Sequence, residues 1–319
     1  MSDSVTVLDG GLGTELEVAG ITKYPGHDEL WTARVLLNQP EAMKQLHASF
    51  LKYGADVIET GTYQASVDGY MKYAGLSEQK AVSVIQNAAK IAQEAVEEFW
   101  VDYQSKIDGS AEQREELVFT DRSKPQIAAS IACYGAWLAN DSDYDGNYVD
   151  SMTTEELQAW HRKHIQILLD AGINLLAIET IPAQKEAEAI VQILPEFPGV
   201  KAFLTFSSKS ETKTCHQESF AEAVASICKM SSPDQLLAVG LNCTRPQFIT
   251  PLLRSAQGAT GGRPFIVNPK GESSSGVLTE WTKLLPEWLD LGVRYIGGCC
   301  HTRPSDIEII RKTVKSHAK

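Results

Sequence analysis

The sequence predicts an α/β chain folded as a single (β/α)8 TIM barrel, with its active site at the C-terminal ends of the strands. Short runs rich in Val, Ile, Leu and Ala alternate with longer segments whose apolar residues recur at helical spacing, as in parallel strands buried beneath crossover helices. Right-handed crossovers wind parallel strands into a closed barrel or an open doubly wound sheet, and a count of eight units favours the barrel. The length of 319 residues also suits one barrel, a unit that commonly reaches about 250 residues or more.

In chain order the expected strands are 5–9 (VTVLD), 56–61 (DVIETG), 126–132 (QIAASIA), 175–180 (LLAIET), 202–207 (AFLTFS), 238–243 (AVGLNC), 265–269 (FIVNP) and 295–300 (YIGGCC). Each precedes an expected helix, near 40–53, 77–100, 153–171, 184–194, 218–230, 246–256, 279–290 and 305–316. Ser77, Thr153, Thr279 and Ser305 stand where a side-chain oxygen would cap the first turn, and Thr153 with Glu156 reads as a capping box. Residues 101–124 break the rhythm. Polar and charged, they enter the third strand from the bottom of the barrel and read as a solvated insertion without function.

Composition excludes several classes. Asp plus Glu number 41 against 29 Lys plus Arg, a net charge of −12, which disfavours nucleic acid or an anionic membrane as a partner. No apolar run approaches the ~20 residues of a membrane helix, and MSDSVTVLDG has no signal-peptide pattern, so a soluble, cytoplasmic protein is expected. Six cysteines in such a chain are too few for a disulfide framework and should be free thiols.

Chemistry in such a barrel belongs to what each strand delivers at its end. The first delivers Asp9-Gly10-Gly11, the second Glu59-Thr60-Gly61, the fourth Glu179-Thr180, the sixth Asn242-Cys243 and the eighth Gly297-Gly298-Cys299-Cys300. Cys243, Cys299 and Cys300 therefore converge on one rim, where strands six and eight lie roughly 10 Å apart. A turn at Gly297-Gly298 would let both adjacent cysteines face one ion, and three thiolates around zinc would leave one tetrahedral position open for substrate. Buried core cysteines, or a vicinal disulfide between Cys299 and Cys300, are the alternatives. Cys133, Cys215 and Cys228 read as core filler. Asp9 and Glu179 either pair structurally or contact a ligand. With the Gly10-Gly11 amides they would suit an amino-acid zwitterion, amides toward its carboxylate and acids toward its ammonium. His161 and His164 read as a solvated helix face.

The motifs DGGLGTELE (9–17), ETGTYQAS (59–66), YGAWLAN (134–140), AIETIP (177–182), GLNC (240–243) and IGGCC (296–300) together resemble the homocysteine S-methyltransferase family over about residues 5–315. DELW (28–31), TYQAS and YGAWLAN look most similar to its S-methylmethionine-dependent branch. The resemblance implies one homocysteine-binding barrel domain over 1–319, and one Zn2+ per chain on Cys243, Cys299 and Cys300. It implies substrate contacts from Asp9, Gly10, Gly11 and Glu179, and Gln64 as a fourth ligand when substrate is absent. The expected reaction transfers methyl from a small sulfonium donor to the homocysteine thiolate, giving methionine, with no covalent intermediate. Eight units use nearly the whole length, so neither cobalamin nor folate is expected. Trp31, Tyr63, Tyr134 and Trp137 are candidates to receive the sulfonium, which aromatic faces bind well. S-adenosylmethionine or betaine as donor, and a non-catalytic zinc- or thiol-binding regulatory barrel, are the alternatives. A phosphate-binding barrel enzyme is disfavoured because the late glycines lead into cysteines. Two departures from the family pattern stand at the rim: Asn268-Pro269-Lys270-Gly271-Glu272, one residue short and with Lys for Asn, and Cys133. Oligomeric state is left open.

Overall fold

A computed structural model describes residues 4–23, 28–271 and 280–317. Eight parallel strands form one sheet: β1 (Thr6–Val7), β2 (Val57–Glu59), β3 (Gln126–Ala132), β4 (Leu175–Ile181), β5 (Lys201–Phe206), β6 (Leu236–Asn242), β7 (Phe265–Asn268) and β8 (Val293–Ile296). Each strand pairs with its neighbours in sequence, and β1 pairs with β8. The ring closes where Leu8 bridges Val57 and the Asp56 amide donates to the Val7 carbonyl at 2.6 Å. The expected α/β barrel is the observed one.

Its interior is filled by Leu8, Val57, Ala128, Leu175, Ala177, Phe203, Ala238, Ile266 and Tyr295, drawn from every strand position around the ring. Alanines on β3, β4 and β6 leave room for the rings of Phe203 and Tyr295, whose centroids lie 4.7 Å apart. The larger core lies between the sheet and the surrounding helices, and includes fully buried Phe50, Phe220, Trp288 and Tyr70.

The expected helices appear as Pro40–Tyr53, Glu78–Asp108, Thr154–Asp170, Gln184–Ile193, Phe220–Met230, Pro246–Ser255, Leu285–Asp290 and Pro304–His317. Ser77 and Thr153 cap as expected, and Thr153 forms the reciprocal box with Glu156. Thr279 lies outside the described residues, and Ser305 stands inside its helix, which opens at Pro304. Additional helices at Leu12–Val18, Trp31–Asn38, Val67–Ala74 and Tyr134–Leu138 follow strand ends and wall the top of the barrel.

One expectation is corrected and another gains detail. The segment 101–124 is exposed over most of its length, while the second-unit helix runs on to Asp108 and the chain returning to β3 buries Phe119 and the Arg122 side chain. Arg122 donates to the Leu51 and Ala55 carbonyls, beside Arg311 on Gly54 O and Asp56, and together they seal the bottom at β2. Charge-rich composition hid this, because a guanidinium that satisfies carbonyls can be buried. His161 and His164 are also buried rather than solvated: His161 Nε2 meets Glu186 Oε1 at 2.9 Å, and His164 Nδ1 meets the Trp160 carbonyl at 2.8 Å. Burial depresses His164 to about 4.

Candidate active site at the barrel top

The strand ends open into a cavity lined by residues 10–14, Trp31, Glu59, Gln64, Glu179, the three rim cysteines and Lys270, among others. The three sulfurs do meet. Those of Cys243, Cys299 and Cys300 all lie within 4.8 Å of one another. β8 stops at Ile296, earlier than expected, so Cys299 and Cys300 sit on a turn and escape the alternation of a strand. The turn is tightly seated: Gly298 N donates to Asp9 O, Cys299 N to Pro269 O and Thr302 N to Cys299 O. A Cβ on Gly298 would fall 2.2 Å from a Thr302 carbon, so only glycine fits.

Cys243 and Cys299 are joined as a disulfide, their Cα atoms 5.4 Å apart, with Cys300 Sγ 3.4 Å from Cys243 Sγ. This differs from the expectation of free thiols and from a vicinal bridge. A disulfide and a three-thiolate metal site make the same demand, sulfurs from remote strands in one small volume. Soft sulfur donors within this spacing fit a tetrahedral ion such as zinc with one position left over. Burial raises the Cys300 thiol, Lys270 opposes that shift, and the charges of Asp143 and Glu179 add to it.

Backbone strain concentrates here. Trp31, Thr180, Cys243 and His301 all line the cavity with positive φ, a costly conformation for non-glycine residues that neighbouring contacts must hold. Asn242 supplies such contacts: its Oδ1 accepts from Thr180 N at 2.7 Å and Thr205 Oγ1 at 3.0 Å. Its Nδ2 donates to Thr180 Oγ1 at 2.7 Å and faces Glu179 Oε2 at 3.4 Å. Between β4 and β5 the register shifts after Ile178, so Glu179 and Thr180 together oppose one residue of β5. This bulge turns Glu179 into the cavity, where it also accepts from Ser130 Oγ.

Of the expected substrate residues, Glu179, Gln64, Trp31, Gly10 and Gly11 line the cavity. Gln64 donates to Ala136 O, and Trp31 Nε1 donates to Glu17 at 2.9 Å. The Gly11 amide is already committed to Thr302 O at 3.0 Å, contrary to its expected freedom. Asp9 lies behind the wall, buried, its Oδ2 accepting the Glu59 amide at 2.9 Å. Tyr134 packs in an aromatic cluster with Trp137, Tyr148 and Trp160, at 5.3 to 5.5 Å, outside the cavity lining. Cys133, Cys215 and Cys228 are buried.

The residue reading left three site residues unassigned: Glu59, Asn242 and Asp143. Glu59 ends β2, Asp9 follows β1 and Glu179 lies near the end of β4, and that shared position at the top of the barrel was the available signal. Burial, then the charges of Glu179 and Asp9, drives the Glu59 carboxyl well above the ordinary range, and burial lifts Glu179 to about 7. Burial lifts Asp9 strongly too. Three carboxyls so close call for a cation.

Comparison with known proteins agrees with this geometry. The homocysteine S-methyltransferase family model matches residues 6–314. A betaine-homocysteine S-methyltransferase of Drosophila melanogaster is 38% identical, over 97% of this chain and 94% of its own length. Homocysteine S-methyltransferase 1 of Arabidopsis thaliana is 35% identical over 97% and 93%. Among solved structures, the metallated form of the homocysteine methyltransferase MmuM from Escherichia coli superposes with a TM-score of 0.80 at 31% identity, over 97% of this chain and 96% of that one. By fold, strand-end residues and full-length similarity, the chain belongs to the homocysteine S-methyltransferase family of enzymes.

Proposed function

We propose that this enzyme transfers a methyl group from a sulfonium donor, S-methylmethionine, to the thiolate of L-homocysteine, giving methionine, in a zinc-dependent reaction. The observation that carries the reading is one cavity holding three clustered sulfurs and a wall of buried carboxyls. Cys243, Cys299 and Cys300 would hold the zinc. When bound, zinc keeps a ligated thiol ionised near neutral pH, where a free thiol with a pKa of about 8.5 is mostly protonated.

The protein's own residues position the rest. Glu59 and Glu179 face the cavity and would take the homocysteine ammonium, with Asp9 behind them fixing Glu59 through its backbone amide. Ionised acids opposite an ammonium recover the energy that burial withholds from them, so substrate binding and ionisation of the pair support each other. With the Gly11 and Leu12 amides engaged, the amino-acid carboxylate would meet the next amides of the first turn of the Leu12–Val18 helix, with Lys270 and His301 also lining the cavity. The homocysteine sulfur is the nucleophile in this reading, and the reaction needs no strong general base once the thiol is ionised. Positioning does the remainder.

S-Methylmethionine is favoured over betaine or S-adenosylmethionine by the DELW, TYQAS and YGAWLAN segments. Purified enzyme offered homocysteine with each donor should turn over fastest with S-methylmethionine. Preference for betaine would overturn the donor assignment, and zero turnover at full zinc occupancy would favour the regulatory alternative. Cys299→Ala should lose zinc and turnover while the barrel stays folded. Normal zinc content in that variant would sink the ligand assignment.

A further inference from the structure

The acid wall of the cavity continues beyond the carboxyls given to the amino group. Asp143 lies on the segment between β3 and the Thr154–Asp170 helix and lines the cavity with Tyr63 and Tyr144. Its Oδ2 accepts the Tyr63 hydroxyl at 2.8 Å. No Lys or Arg among the described residues pairs with it. Lys209 is the nearby cation, and it is exposed and stands over the Tyr144 ring, 5.9 Å from the centroid. Cys243, Cys299 and Cys300 line the same cavity.

The segment is also held in place. Ser207 Oγ donates to Asp143 O at 3.2 Å, and Tyr144 N donates to Asp141 O at 2.9 Å. A Cβ on Gly135 would come 2.7 Å from the Asp143 amide, so the turn packs directly onto the Tyr134–Leu138 helix. A fixed, half-buried carboxylate with no Lys or Arg pair among the described residues, in a cavity also lined by the Tyr63 and Tyr144 rings, has the chemistry of an onium receptor.

We propose that Asp143, with the rings of Tyr63 and Tyr144, binds the positive centre of the methyl donor and sets the preference for a cationic donor over its neutral product. The proposal rests on the methyl-transfer reading above. In the reaction a lone pair of the homocysteine thiolate forms the new S–CH3 bond. The donor's S–CH3 bond breaks, and its electron pair stays on the donor sulfur, which leaves as a neutral thioether. The positive charge that Asp143 holds is thus fullest before transfer and gone after it. At the transition state the donor sulfur still carries much of that charge, so Asp143 holds bound donor and transition state about equally and releases the neutral product, and its loss should appear in KM, not kcat.

The test uses the metal-loaded enzyme and the pair S-methylmethionine and methionine, which differ by one methyl and one charge. Wild type should bind the sulfonium more tightly by calorimetry. Asp143→Asn should raise the donor KM and Kd about tenfold or more, leave methionine binding and the homocysteine KM unchanged, and hold kcat within about threefold. Tyr144→Leu should weaken the sulfonium severalfold without affecting methionine, and it decides the matter if the Asn variant fails to fold. Retention of the wild-type sulfonium preference in the folded variants overturns the assignment of Asp143. Absence of methyl transfer to homocysteine from any onium donor in wild type would instead overturn the underlying reaction.

Discussion

Burial acts on Asp9, Glu59 and Glu179 together, and all three carboxyls are pushed upward, Glu179 to about 7. A carboxyl whose folded pKa lies above its unfolded value favours the folded state most at pH below the unfolded value, and that contribution disappears as pH rises through the folded value. For Glu179 the window runs from about 4.5 to about 7. The substrate-free protein should therefore melt at a lower temperature at pH 8 than at pH 5, and Glu179→Gln should flatten that slope while raising the homocysteine KM roughly 10- to 100-fold. Thermal melts across pH, paired with kinetics, check both halves. A steeper pH slope in the variant would contradict the account. Homocysteine itself should restore stability at high pH, because its ammonium compensates the charges that burial penalises.

At the scale of elements, catalytic geometry depends on how β4 and β6 are tied at their tops. The bulge that aims Glu179 and the positive φ of Thr180 are held by one side chain, Asn242, while Cys243 is tied through its amide to Asn268 O. Asn242→Ala leaves the buried Thr180 amide without its acceptor, at a cost of about 1–3 kcal/mol. The larger effect should be on activity, since a displacement of about 1 Å at a reacting group can cost about 100-fold in rate. Urea unfolding and kcat/KM measured on the same variant should show a modest stability loss beside a disproportionate fall in rate. Equal, small losses in both would make Asn242 an ordinary buried polar residue. Neither the bulge nor the clamp is legible in LLAIET or GLNC. Strand alternation describes a regular strand, whereas these residues matter because the strand is irregular at that point.

The whole molecule separates stability from chemistry along the barrel axis. At the bottom, Arg122 donates to the Leu51 and Ala55 carbonyls, while Arg311 pairs with Asp56 at 2.6 Å, joining the returning chain and the last helix to the start of β2. Burial, then repulsion from Arg311, lowers Arg122 to about 10, so it stays protonated across the working range. Arg122→Ala should destabilise the protein by roughly 1–3 kcal/mol, by removing the guanidinium from the Ala55 carbonyl and leaving the Leu51 carbonyl only the Gly54 amide, yet keep KM and kcat near wild type. Denaturant midpoints and steady-state kinetics test this, and a large loss of kcat in a folded variant would break the separation. No helix of the described residues is long and apolar enough to cross a membrane.

The sequence by itself determined the number and order of the strand-helix units and which strand ends carry sulfur or acid, because both follow from local periodicity and from the position of a residue relative to its strand. It also carried the family, through short motifs in a fixed order. Tertiary structure decided what depends on neighbours distant in sequence. Asp9 became a support behind Glu59, Gly11 lost its free amide, Tyr134 joined an aromatic cluster outside the cavity, and Arg122 of a largely exposed polar segment bound the carbonyls before β2. In each case the side chain or amide was satisfied by a partner from another unit. Spacing along the chain records which groups a strand end offers, and only the closed ring determines which of them are already engaged and which still face the cavity.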